Sequence, residues 1–172
     1  MTLTPTPLAF SPGSVTCFFV PNMGASPQET SSPGCGICIS DGVTAAVRPA
    51  VAASICFNGQ PIDFPPVRTV VDNLAPEPVE VFLETPVPLG CGFGISAASS
   101  LTTAFALARR FSLEKTRWQL GEIALSAEIQ HELELVQRGD TSLRDQMVKF
   151  QRRAQEVLTT AKPGGGTNNG RR

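Results

Sequence analysis

A chain of 172 residues is long enough for one domain with a real core and short for a two-lobed enzyme. Its 14 basic residues nearly balance its 15 acidic ones, so no charge excess calls for nucleic acid or an anionic membrane as partner. The charges are unevenly placed: 6 basic and 12 acidic residues lie in 1–137, against 8 and 3 in 138–172, which divides a domain at 1–137 from a basic helical tail at 138–162 and an end segment at 163–172.

The N-terminus has neither the basic start nor the apolar run of a signal peptide, and Pro5, Pro7 and Pro12 would break a helix there, so a cytoplasmic protein is expected. Fourteen of the 15 prolines lie at or before Pro88, and proline belongs at sheet edges and turns rather than inside helices. The first half accordingly reads as short strands at 15–20, 36–40, 43–47, 51–57, 68–71 and 79–84. Asp41-Gly42, between the second and third, reads as a two-residue hairpin turn. Cys35 and Cys38 have the spacing of half a zinc site, but no second close pair follows. Five cysteines, an odd number without secretory context, read as free thiols.

Beyond Pro88 the pattern turns helical. Residues 96–111 are rich in Ala and Leu, with Ala97, Leu101, Phe105 and Ala108 spaced to share a face and Arg109 and Arg110 at the negative end of the dipole. Ser96, Ser99, Ser100, Thr102 and Thr103 interrupt the apolar run, which falls short of a bilayer span. A second helix is expected after Ser112 as N-cap, with Glu114 in its first turn, running through Trp118, Ile123 and Ile129. A third, at 141–160, has an apolar stripe of Leu143, Met147, Phe150, Ala154 and Leu158. The end, with three consecutive glycines, is expected to be disordered.

The chemistry-bearing stretch is 88–100, Pro-Leu-Gly-Cys-Gly-Phe-Gly-Ile-Ser-Ala-Ala-Ser-Ser, between a strand and a helix. Gly90, Gly92 and Gly94 remove side chains that would hold a phosphate off the backbone and open angles closed to other residues. The helix that follows offers N–H groups without intrahelical acceptors and the positive end of a dipole. Ser96 adds a hydroxyl able to ligate Mg2+ between phosphates. The run lacks the lysine of a P-loop and the glycine spacing of a dinucleotide fingerprint. A tight strand-to-helix turn is the alternative reading of the same glycines. His131, the only histidine, is too little for a Ser-His-Asp or Cys-His mechanism.

This string resembles the second motif of the GHMP kinases, Pro-x-x-x-Gly-Leu-x-Ser-Ser-Ala, with Phe93 in place of leucine, Ile95 where the first serine stands and Ser96 matching the second. The departure at Ile95 weakens the match to sugar and mevalonate kinases, and the string is most like those of archaeal pantoate kinases. Ala-Phe-Ser-Pro-Gly-Ser-Val-Thr-Cys-Phe-Phe at 9–19 resembles the family's opening strand, and Ser-Pro-Gly-Cys-Gly-Ile-Cys at 32–38 the turn after it. Ile-Ala-Leu-Ser-Ala-Glu at 123–128 resembles the helix that supplies a metal-binding glutamate.

The resemblance implies an α+β fold, the ribosomal protein S5 domain 2-like N-terminal domain of GHMP kinases, a mixed sheet with helices packed on one side. It implies ATP and Mg2+ as cofactors, with Pro88, Gly90, Gly92, Phe93, Gly94, Ile95, Ser96, Ala97 and Ala98 at the nucleotide, and Ser96 and Glu128 at the metal. Ser11, Gly13 and Ser14 would line the substrate side. The implied reaction is phosphoryl transfer from ATP to a small acid, pantoate above all, toward coenzyme A, with a homodimer as the assembly to test. Arg48 and Arg68 are the candidates for a substrate carboxylate. Another GHMP kinase, of the mevalonate pathway or for shikimate, and a non-catalytic nucleotide-binding remnant are the alternatives. Members of the family follow the metal glutamate with a glycine-rich turn and a second domain, whereas Glu128 is followed by Ile-Gln-His-Glu-Leu-Glu-Leu-Val. A coding run for Gly-Thr-Gly-Thr-Gly, GGA-ACT-GGA-ACT-GGT, reads as Glu-Leu-Glu-Leu-Val, the residues at 132–136, when entered one nucleotide late, so a frameshift after His131 and an impaired chain are expected.

Overall fold

The computed structural model describes residues 8–138, apart from 21, 23, 26–28, 30 and 32. The helix expected at 141–160 and the end segment at 163–172 lie outside the described residues. In chain order the elements are β1 (Ala9–Phe19), β2 (Gly34–Pro49), β3 (Ser54–Phe57), β4 (Gln60–Pro61), α1 (Pro65–Leu74), β5 (Val79–Glu84), α2 (Ile95–Arg110) and α3 (Arg117–Gln137). The five strands form one sheet in the order β1-β2-β5-β3-β4. Only β3 and β5 run parallel; the other three pairings are antiparallel, so the expected mixed sheet is found.

Alternation along the strands sets the two faces. Val43, Ala45 and Val47 of β2 and Val79, Val81 and Leu83 of β5 point inward and are buried, as period-2 patterning requires. They join Val67, Val70 and Leu74 of α1, Ala104 and Leu107 of α2, and Leu120 and Ala124 of α3 in one core. Helix α2 lies against β1 and β2, and α1 and α3 pack against α2 and each other.

Several expected elements are corrected. The strands at 36–40 and 43–47 are one strand, because β1 pairs with both halves of β2. Asp41-Gly42 is therefore not a turn but the end of a bulge: Pro12 opposes Gly42 and Ser14 opposes Cys38, so Gly13 alone faces Ile39, Ser40 and Asp41. Gly42 is required there by close approach, since a Cβ would lie 2.1 Å from the Ser11 carbonyl oxygen. The two-residue hairpin turn is instead Asn58-Gly59, joining β3 to β4, with φ of 48° and 77°. The strand expected at 51–57 begins only at Ser54.

Residues 68–71 are helical rather than extended. Pro65 and Pro66 open α1, where a missing N–H is harmless and the fixed φ suits the helix. Val67, Val70, Val71 and Leu74 then fall on one buried stripe, which outweighs the strand preference of the valines. In α2 the deep face is Ile95, Ala98, Ser99, Thr102 and Ala106, while Ala97 is exposed and Leu101, Phe105 and Ala108 are half-buried. Ser112 does not cap α3; it turns with φ 51°. The cap is a box formed by Thr116 and Gln119: the Gln119 N–H donates to Thr116 Oγ1 at 3.2 Å, and the Thr116 N–H to Gln119 Oε1 at 2.9 Å. No helix among the described residues is long and apolar enough to cross a membrane.

Candidate functional site

The loop from β5 to α2 is anchored before its glycines begin. Asn58, held in the left-handed region by the β3–β4 turn, accepts from the Thr85 N–H at 2.9 Å and donates to the Thr85 carbonyl at 3.0 Å. Thr85 Oγ1 in turn accepts from the Val87 N–H at 3.0 Å. Beyond Pro88, Gly90, Gly92 and Gly94 have φ of 77°, 81° and 64°, angles that an L side chain rarely adopts. Gly94 is the N-cap of α2 and has no side chain to cap it, and the first intrahelical bond runs from the Ala98 N–H to the Gly94 carbonyl. The helix therefore offers no acceptor to the N–H groups of Ile95, Ser96 and Ala97. That is the donor arrangement an anion finds at a helix N-terminus.

The opening strand abuts this loop. The Ser14 N–H donates to the Phe93 carbonyl at 2.8 Å, and a Cβ on Gly13 would lie 3.0 Å from the same oxygen. A Cβ on Gly94 would lie 2.6 Å from Ser14 Oγ, so the two segments touch through absent side chains. Of the three residues expected on the substrate side, Gly13 and Ser14 thus meet the glycine loop. Ser11 lies earlier on β1 with its side chain buried.

Helix α3 brings Glu128 to α2. Ser96 Oγ donates to Glu128 Oε2 at 2.8 Å and to Oε1 at 3.1 Å. Ser100 Oγ, one turn further along α2, donates to Oε1 at 2.5 Å. Burial pushes the Glu128 carboxyl above the usual range; the Ser100 and Ser96 hydroxyls and His131 pull it back, and Glu132 pushes it further up. Among the described residues the ion pairs are Arg48–Glu80, Arg68–Asp63 and Arg138–Glu134, and none includes Glu128. A half-buried carboxylate with hydroxyl partners and no ion-pair partner is under-compensated. Its oxygens and that of Ser96 are hard donors that suit Mg2+, a metal that takes one or two carboxylates and completes its shell with phosphate oxygens and water. The residues present therefore fit the metal and nucleotide expected from the sequence. No group of three or more His, Cys, Asp or Glu that could hold a metal occurs among the described residues, and all five cysteines are free thiols.

Ser100 was not among the expected site residues. Its signal was the i, i+4 spacing from Ser96 inside an alanine-rich buried helix. The two candidate carboxylate-binding arginines are engaged elsewhere. Arg48 pairs with Glu80 through Nε at 2.7 Å and stacks on Phe82, 4.9 Å from the ring centre. It stands six residues along β2 from Gly42, about 20 Å of strand. Arg68 pairs with Asp63 at 3.2 Å on the surface. A surface cleft of 420 Å³ opens on the sheet face opposite the core, lined by Phe10, Asp41, Thr44, Glu84 and Thr85 among others. It contains none of the expected site residues, and its two carboxylates would repel a triphosphate.

Residues 66–139 match the family described as the GHMP kinases N terminal domain. That stretch contains both the glycine loop and Glu128. The chain is 33% identical over 135 residues to a pantoate kinase of Thermococcus kodakarensis, covering 72% of this chain and 44% of the relative. It is 31% identical over 132 residues to a pantoate kinase of Methanospirillum hungatei, covering 72% of this chain and 46% of the relative. A solved phosphotransferase related to the CoA biosynthesis pathway superposes with a TM-score of 0.64 at 32% identity, over 72% of this chain and 45% of that one. The chain thus spans less than half the length of the curated relatives it matches.

Proposed function

We propose that this chain, whose residues 66–139 are a GHMP kinase N-terminal domain, is the nucleotide-binding half of an ATP-dependent pantoate kinase acting toward coenzyme A. The observation that carries the reading is the convergence of a half-buried carboxylate, Glu128, which has no ion-pair partner among the described residues, and the Ser96 hydroxyl at the N-terminus of a helix preceded by three left-handed glycines. The backbone of Pro88, Gly90, Gly92, Phe93, Gly94, Ile95, Ser96, Ala97 and Ala98 forms the phosphate cradle. Ser96 and Glu128 hold Mg2+, which when bound neutralises phosphate charge and steadies the charge that develops on transfer. Ser11, Gly13 and Ser14 line the acceptor side, and the contact of Ser14 with Phe93 ties acceptor strand to phosphate loop. Transfer breaks the bond from the γ-phosphorus to the bridging oxygen of ADP and forms one to the acceptor hydroxyl oxygen, whose proton is released to solvent. The chain's own part is positioning and charge compensation. A cytoplasmic location goes with this reading, since all five cysteines are free thiols.

The test is transfer of label from γ-labelled ATP to a panel of pantoate, mevalonate, homoserine and shikimate. Labelled 4-phosphopantoate, with the other acceptors unlabelled, is expected of the complete kinase. Preferential labelling of another acceptor would overturn the choice of pantoate. One observation favours a second reading for these 172 residues by themselves: the match spans only 44–46% of the kinases concerned. On that reading the isolated chain binds Mg-nucleotide and labels none of the four acceptors.

A further inference from the structure

Helix α2 carries hydroxyl side chains at Ser96, Ser99, Ser100, Thr102 and Thr103. A buried helical hydroxyl ordinarily bonds back to the carbonyl one turn earlier. Ser99 does so to Ile95 at 2.7 Å, and Thr103 to Ser99 at 2.8 Å. Ser100 could bond back to Ser96 in the same way, yet it leaves its helix and donates to Glu128 Oε1 on α3. Ser100 is fully buried, whereas Ser96 is partly open to solvent. The two oxygens of Glu128 therefore differ. Oε1 takes the hydroxyl of fully buried Ser100, with Ser96 a longer 3.1 Å away, whereas Oε2 takes only the half-buried Ser96 hydroxyl, at 2.8 Å.

We infer that Ser100 is a positioning residue, which fixes the Glu128 carboxylate through Oε1 so that Oε2 and Ser96 together are presented to the magnesium ion of a bound nucleotide. The inference rests on the nucleotide-site reading above. A carboxylate on a long side chain has several rotamers, and ordering them at the moment of binding weakens the metal. A buried donor that removes this freedom in advance acts as the outer partners of metal ligands do, whose loss costs about 10- to 100-fold in metal affinity. Alanine at position 100 would keep the helix and its packing volume while releasing Oε1.

The experiment titrates MgCl2 into the purified 172-residue chain at a fixed concentration of a fluorescent, non-hydrolysable ATP analogue, with a parallel nucleotide titration in EDTA. Ser100→Ala is expected to raise the half-saturating Mg2+ concentration about tenfold, with metal-free nucleotide affinity unchanged. Ser100→Thr, which keeps the hydroxyl, is expected to restore the wild-type requirement. An unaltered Mg2+ requirement in Ser100→Ala, or a threonine variant that behaves like alanine, would overturn the inference and leave the nucleotide site standing. Equal weakening with and without Mg2+ would also overturn it, since that is the mark of a general structural role. Nucleotide binding by the wild-type chain that is indifferent to Mg2+ would remove the site reading itself, and the inference with it.

Discussion

Glu128 is a carboxylate whose surroundings work against its charge, and its protonation ties folding to pH. Burial raises the folded-state carboxyl above its unfolded value, so the folded chain binds that proton more tightly than the unfolded chain. The resulting stabilisation is fully present below the unfolded-state range and is lost as pH rises through the folded-state value. Glu128→Gln keeps an acceptor for Ser96 and Ser100 and has no charge to desolvate. Its melting temperature should exceed that of the wild type at pH 8, with the gap closing as pH falls to 4; a variant less stable at both pH values would contradict this. At this scale the sequence was informative where residue type alone carries chemistry. The Ser96 hydroxyl meets Glu128, and Gly90, Gly92 and Gly94 have positive φ, both features that residue type in the string had suggested. Ser100 was missed because a serine in an alanine-rich helix looks like a small core residue, and only the packing of α3 on α2 reveals its partner.

At the level of elements, the phosphate loop depends on a turn in another part of the sheet. Asn58 makes two hydrogen bonds to the Thr85 backbone, at the last point before the glycine run that is fixed by a side chain from β3–β4. Asn58→Ala removes both and puts a residue less tolerant of the left-handed region at φ 48°. Chemical denaturation should show a loss of about 1–3 kcal/mol, accompanied by weaker nucleotide binding; unchanged affinity in the destabilised variant would show that the loop is set without this anchor. The Asn58-Gly59 pair is itself a strong hairpin signal, and Asp41-Gly42 offers the same signal without forming the turn. Both dipeptides offer glycine, but only tertiary structure tells a positive φ from a close backbone approach. The strand expected at 68–71 failed for a related reason. Val67, Val70 and Val71 are β-formers by propensity, and the decisive signals were Pro65-Pro66 at a helix start and the burial spacing that follows. The strand at 79–84 and the helix at 96–111 were legible because alternation in the one and alanine-rich composition in the other are strong local patterns.

For the whole molecule, the mixed sheet with α2 across β1 and β2 delivers three separate stretches, 13–14, 88–100 and 128, to one end of one helix. Topology brings together what lies more than a hundred residues apart in sequence. The matched relatives are more than twice as long as the stretch they share with this chain, so the nucleotide site is the part of the proposal these residues can be asked to perform alone. The most direct measurement is calorimetric titration of a non-hydrolysable ATP analogue with Mg2+ into the 172-residue chain, beside a Gly92→Val variant. Valine at φ 81° is strained, and its branched side chain would crowd the phosphate cradle. Expected are Mg2+-dependent, one-to-one binding by the wild type and its loss in Gly92→Val, with the two circular dichroism spectra unchanged. No binding by the wild-type chain, or undiminished affinity in a folded Gly92→Val, would contradict the assignment of the 88–100 loop as the nucleotide site.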